Sequence, residues 1–292
     1  MKLAFFEAPV QEKEADLEKG KKIRDIFKIV GVSIEDYGDI FDRIKEMHAE
    51  ENSHFSDAVE IMCMVEKMFD RIGGEIGKEK VMLAALLHDI GKSGPDDADP
   101  VARETVQTLF AKDAEKKYAI DNFPERTVRE AVEIIYKDES GKRLEALAGC
   151  GVDAGWGMRE FFGMHADWTY DILRNNASEQ VDDTVATIAA THHILEGKNP
   201  AHVDKDAIPQ EAKFLEMMDK YYFLTLLDKY QAFRKRSGME HEEAVRIIKE
   251  KITSSMISER EKMRYHELVD LVLNEEMKNI LESAREEAKN MI

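Results

Sequence analysis

Helix breakers are so scarce in this chain that long stretches have only one regular way to fold. Six prolines occur in 292 residues, while the strong helix formers Ala, Leu, Met, Glu and Lys are abundant. No segment alternates apolar and polar side chains as a half-buried strand does, so an all-α fold is expected. Residues 11–48 read as one or two amphipathic helices broken near Gly31-Val32-Ser33, with Ser33 as an N-cap. The stretch HFSDAVEIMCMVEKMFDR, 54–71, carries apolar residues at helical spacing and ends before Gly73-Gly74. The next helix spans 78–90 and stops at Gly91, and SGPDDADP, 93–100, is a loop. Helices continue over 101–150, interrupted near Asn122-Phe123-Pro124 and Glu139-Ser140-Gly141, then over 159–175, 181–195, 211–235 and 240–253. The tail, 257–292, reads as a packing or dimerisation helix, which leaves a homodimer open. With no repeat or low-complexity linker, the organisation is one body, 48–252, with helical extensions over 1–47 and 253–292.

The net charge of −18 argues against a nucleic-acid polymer as partner, because counterion release needs a basic face. It leaves room for a small phosphorylated substrate held by local cations. No run approaches the roughly 18 apolar residues of a membrane span. The N-terminal apolar patch is too short for a secretory signal, so a cytoplasmic protein is expected. Cys63 and Cys150 are too few for a disulfide framework and read as buried free thiols. Any metal ligands are then nitrogen and oxygen. The turn GCGVDAGWG, 149–157, follows a helix rather than a strand, so it is not a dinucleotide fingerprint.

The nine histidines occupy telling places. His54 follows Glu50 by four residues, which sets a carboxylate and an imidazole on one helical face. His88-Asp89 ends the apolar run VMLAALL, His165 begins HADWTYDIL, and His192-His193 closes VATIAATHH. Asp228 interrupts the apolar FLTLLDKYQAF, where an ionised carboxylate is costly unless it is salt-bridged or bound to metal. Adjacent helical side chains diverge by about 100°, so His192 and His193 serve one centre only at a helix end or with two metals present. Taken together these groups look like inward-facing ligands of a helical bundle, the arrangement of di-metal centres. His48, His241 and His266 read as structural or exposed, and His202 as a surface residue.

The order His54, His88-Asp89, Asp228 resembles the HD-domain metal-dependent phosphohydrolase superfamily. Finer features resemble its HD-GYP cyclic-di-GMP phosphodiesterase branch. These are Glu50 with His54, LAALLHDIGK with Lys92, HADWTYDIL with Thr169 where glycine is usual, the paired histidines of THH, and DKYQAF with the helix after it. The likeness spans about residues 48–252. The sequence departs in three places. The Gly-Tyr-Pro tripeptide is missing after His193, a longer span separates Asp89 from His165, and the segment after Asp228 is shorter. The long span implies an inserted helical element, about 100–157, that could lid or narrow the site.

The resemblance implies a metal-binding body with eight ligands: Glu50, His54, His88, Asp89, His165, His192, His193 and Asp228. Eight imidazole and carboxylate donors suit two or three divalent ions, with Asp89 as the bridge. Mixed ligation without thiolate suits iron or manganese, with zinc possible, and the resemblance favours iron. It casts Asp89 and Lys92 as catalytic groups, Lys92 also as a phosphate contact, Arg234 and Arg236 as further substrate contacts, and Lys235 beside them as another phosphate contact. The expected activity is hydrolysis of a cyclic dinucleotide or related nucleotide. The rival readings are an HD-fold di-iron oxygenase and a silent metal-binding sensor.

Overall fold

The computed structural model describes residues 10–48, 53–72, 76–196 and 212–292, without the side chains of 10–16, 212–218 and 236. Within them the chain is helical, and the only extended pairing is an isolated bridge between Thr127 and Gly157. Two N-terminal helices, α1 (Val10–Ile29) and α2 (Gly38–Met47), flank a 3-10 turn, Ile34–Asp36. Ser33 caps that turn and not an α-helix, and its side chain makes no capping bond. The central helices α3 (His54–Met68) and α4 (Lys78–Leu87) follow. The Ser53 side chain accepts from the Ser56 N–H to start α3.

Helix α3 is apolar on nearly every side, and its inner residues from Val59 to Val65 are fully or almost fully buried. A helix with that pattern must be surrounded. Its neighbours include α4, the long α12 (Ala212–Arg236) and α15 (Lys278–Met291). Between α4 and α12 lie α5 (Pro100–Phe110), α6 (Ala114–Lys117), α7 (Val128–Tyr136), α8 (Ser140–Gly149), α9 (Met158–Gly163), α10 (His165–Asn175) and α11 (Asp183–Ala190). The expected helix over 159–175 is thus two helices, α9 and α10. Helices α13 (His241–Ser254) and α14 (Glu259–Val272) complete the order.

Two expectations need correction here. The tail is not one helix: α14 and α15 are separated by a 3-10 turn, Glu275–Met277, capped by the Asn274 side chain. Its packing is internal, because α15 lies against α3 and α14 against α12 and α13. The cysteines also differ from each other. Cys63 is buried, whereas Cys150 is only half-buried, and neither forms a disulfide. Burial pushes their thiols up to about 12 and about 11 respectively, so both stay protonated near neutrality.

The stretch after α4 builds a second core of its own from α5, α7, α8, α9 and the start of α10. Its centre is Val106, Leu109, Phe110, Val128, Met158, Phe161 and Trp168. The capping box of Thr127 and Glu130 starts α7. The N-terminal extension is tied to the loop before α5 by Arg43, which is fully buried. Its guanidinium pairs with Asp39 at 2.5 Å and donates to Ser93 Oγ at 3.1 Å and to the Gly94 carbonyl at 2.9 Å. A buried arginine is tolerable only when its donors are used in this way. Among the described residues, no helix is long and apolar enough to cross a membrane.

Candidate metal centre

Helix α4 ends at Leu87, three residues before the expected stop, and a tight turn carries the His-Asp pair. His88 sits at the C-cap, Asp89 follows at φ −100°, and Ile90–Ser93 form a 3-10 turn. The turn rests directly on α10. A Cβ on Gly91 would lie 2.1 Å from the His165 carbonyl oxygen and 2.7 Å from the Thr169 nitrogen, so only glycine fits. Thr169 Oγ1 accepts from the Gly91 N–H at 3.0 Å and donates to the His88 carbonyl at 3.0 Å. The threonine that departs from the HD-GYP pattern therefore fastens α10 to the dyad turn.

Asp89 stands at the middle of the cluster. Its Oδ1 is 3.3 Å from His165 Nε2 and 3.6 Å from His192 Nε2. Its Oδ2 is 3.6 Å from His54 Nδ1, 3.6 Å from His88 Nε2 and 2.5 Å from the Lys92 ammonium. Asp228 reaches the same side, with Oδ1 3.8 Å from His88 Nε2. Ligand atoms of two trios, His165–His192–His193 and His88–Asp89–His192, lie within 4.8 Å of one another. The two oxygens of Asp89 thus face different donors, Oδ1 toward His165 and His192 and Oδ2 toward His54 and His88.

The nitrogens are presented as bare lone pairs. His88, His165 and His192 each donate Nδ1–H to the carbonyl three residues earlier, Ala85, Phe162 and Ala189, at 2.8, 2.6 and 2.7 Å. A carbonyl only accepts, so the proton is on Nδ1 and Nε2 is free. His165 Nε2 and His192 Nε2 nevertheless stand 3.0 Å apart. Two lone pairs at that distance repel unless a cation lies between them. The separation suits two ligands about 2.1 Å from one ion. His88 Nε2 is likewise buried and has no hydrogen-bond partner. The donor set fits a divalent metal.

The adjacent pair His192-His193 follows the end of α11 at Ala190, so the two rings can serve one centre. His193 Nε2 lies 3.2 Å from His165 Nε2, and its Nδ1 lies 3.4 Å from the Lys229 ammonium. Lys229 is in turn held by Glu196 at 2.8 Å and Asp228 at 3.5 Å. Burial works against the charge on Lys229, but these two carboxylates outweigh it and raise its pKa. Lys229 and Glu196 escaped the sequence reading. The available signal was the spacing of three between His193 and Glu196.

Glu50 and His202 lie outside the described residues, as does the side chain of Arg236. The substrate role expected of Arg234 needs correction. Its guanidinium is bound to the Met239 carbonyl and, at 2.5 Å, to Glu282, so it braces α12 against α15 instead of facing the cluster. Arg234 is six residues beyond Asp228, about 120° around the helix from it, whereas Lys235 returns to within about 20°. Lys235 pairs with Asp57 at 2.8 Å, one turn along α3 from His54. His241 is structural, bonded to the Tyr230 hydroxyl at 2.9 Å.

Burial sets the charge state of the cluster. It lowers His54 from 6.5 to about 4, with help from the Lys92 ammonium, and shifts His165, His192 and His193 the same way. Burial alone would raise Asp89, but Lys92 and the surrounding imidazoles hold its carboxyl well below the usual range. The unfolded chain therefore binds more protons than the folded one below about pH 6.5, and stability falls with pH in that window. The melting temperature of the metal-free protein should drop progressively from pH 6.5 to 4. Metal affinity of the folded protein should hold over most of this interval and fall only as pH approaches 4, where protons begin to compete for His54. A melting temperature flat between pH 7 and 4.5 would contradict this charge assignment.

In comparison with known proteins, residues 55–153 match the family model of the HD domain. The match begins one residue after His54 and includes His88, Asp89 and Lys92. No curated protein and no solved structure matches the chain.

Proposed function

We propose that this chain, which carries an HD domain over residues 55–153, is a metal-dependent phosphohydrolase acting on a cyclic dinucleotide or a related nucleotide. One observation carries the reading: imidazoles from four parts of the chain, His54, His88, His165 and His192, converge on the two oxygens of Asp89, the last three through an Nε2 that carries no proton. His54, His88, Asp89, His165, His192, His193 and Asp228 would hold two or three divalent ions, iron by resemblance, with manganese or zinc as the alternatives. When bound, such ions supply an acidified water and neutralise charge on a phosphoryl group.

The chain's own groups do the rest. Asp89 joins the two donor sets. Lys92, held at 2.5 Å by Asp89 and 3.3 Å from His54 Nδ1, can donate to a non-bridging phosphate oxygen. Lys229 and Glu196 fix the ring of His193. Water adds to phosphorus, the bond to the leaving oxygen breaks, and that oxygen takes up a proton. Cations for an anionic substrate are at hand beside the cluster, each resting on a carboxylate, Lys92 on Asp89 and Lys112 and Lys235 on Asp57. Lys92, Lys112 and Lys235 gather on the His54 side of the cluster, against a net charge of −18.

The test is elemental analysis of protein purified without chelator, beside an assay on cyclic-di-GMP and simpler phosphodiesters. Two or more transition-metal ions per chain with release of a linear or monomeric nucleotide is the expected result. Metal-replete protein that cleaves no phosphoester would end the phosphohydrolase reading and turn the search to oxygen chemistry.

A further inference from the structure

Three of the cluster's imidazoles are oriented locally. His88, His165 and His192 each use the carbonyl three residues before them, so the chain segment that carries the ring also sets its tautomer. His54 has no such device. It opens α3, and no turn of its own helix precedes it. Its Nε2 instead meets the carbonyl of Phe110 at 2.9 Å, at the C-terminal end of α5. Since that oxygen only accepts, the proton must be on Nε2, and it is Nδ1 that faces Asp89 Oδ2 and Lys92. His54 therefore presents the opposite nitrogen from the other three.

The same segment grips both sides of His54. Lys112 Nζ donates to the Ser53 carbonyl at 2.9 Å and pairs with the buried Asp57 at 2.5 Å. The Phe110 ring, 7% exposed, packs edge-on against His165 at 5.7 Å between centroids and also touches Phe161, Phe162 and Trp168. Phe162 supplies the carbonyl that orients His165. One aromatic cluster in the second core thus touches the supports of two ligands that lie 111 positions apart in the sequence.

We infer that the second core, built from α5 to α9, is a strut of the metal centre, in which Phe110 is the positioning residue that makes His54 bind through Nδ1. This rests on the metal-centre reading above. Partners of this kind change metal affinity by about 10–100-fold when removed. This core is then a part of the site's framework and not a cover over it.

The test uses the full chain and Mn(II) alone as probe, with bound metal counted by titration and elemental analysis. An asparagine amide oxygen reaches about as far as an imidazole Nδ1, and a glutamine amide oxygen about as far as Nε2. His54→Asn should therefore hold Mn(II) within about 10-fold of wild type, while His54→Gln should weaken it by about 100-fold. The reverse ranking would overturn the inference. Phe110→Ala keeps the carbonyl but removes the ring that wedges the end of α5 against Phe161, His165 and Trp168 and so holds that carbonyl in place. It should lose about 10-fold or more in Mn(II) affinity at unchanged helical circular dichroism, and Phe110→Leu should recover it. A folded Phe110→Ala protein with wild-type affinity would also overturn it. If Phe110→Ala fails to fold, the His54 pair decides. Wild-type protein that binds no Mn(II), iron or zinc would instead sink the metal-centre reading itself.

Discussion

Asp89→Ala, purified without chelator, should carry almost no metal and should lose phosphoester hydrolysis by about 1,000-fold or more. Asp89 is 3% exposed, and its two oxygens meet four imidazole nitrogens and the Lys92 ammonium. Without it, the His165 and His192 lone pairs 3.0 Å apart keep no anion to draw a cation between them. Lys92 would lose its counter-charge in the same step, and an unpaired buried ammonium costs several kcal/mol. Asp89→Asn separates shape from charge. It preserves the volume but not the anion, so it should fail almost as badly. Helical circular dichroism should change little in either variant, because the second core and the packing around α3 do not involve Asp89. Full metal content in Asp89→Ala would show that the centre lies elsewhere.

Gly91→Ala should be the most damaging conservative change near the site. The added methyl would stand 2.1 Å from the His165 carbonyl oxygen, 2.7 Å from the Thr169 nitrogen and 2.9 Å from the His165 carbonyl carbon. All three are backbone atoms, so no side chain can swing aside, and α10 must move away from the dyad turn. That motion breaks the two Thr169 hydrogen bonds to His88 and Gly91 and withdraws His165 from Asp89. A loss of about 3 kcal/mol or more is expected, seen as a fall in melting temperature of about 6 °C or more. Metal content should fall with it. A protein with unchanged melting temperature and metal content would mean that the turn and α10 are not in this contact.

Much of the site was legible in the sequence because its signals are short-range. LLHDIGK reads as a helix end that delivers two donors, and the paired histidines after VATIAAT read the same way. The place of α12 in the core was legible from its apolar run, and Asp228 stood out against it. The choice of Arg234 as a substrate contact failed on a matter of angle. Counted around α12 from Asp228, Lys235 and not Arg234 returns to the same face. The split of the tail was also readable in principle, since Asn274 before Glu275-Glu276 is a cap signal inside an otherwise helical pattern.

The chain by itself determined an all-helical fold, the His-Asp dyad at a helix end, and a donor set of nitrogen and oxygen. The tautomers of His88, His165 and His192 are set by contacts equally local, each with the carbonyl three residues earlier, but they show only in the folded chain. Only the tertiary structure decided that Gly91 must accept the backbone of α10, that Lys229 braces His193, and that Phe110 rather than a local carbonyl orients His54. Those contacts join residues separated by tens of positions. Nothing in the local pattern of either partner specifies them, because they exist only once two cores have packed around the same carboxylate.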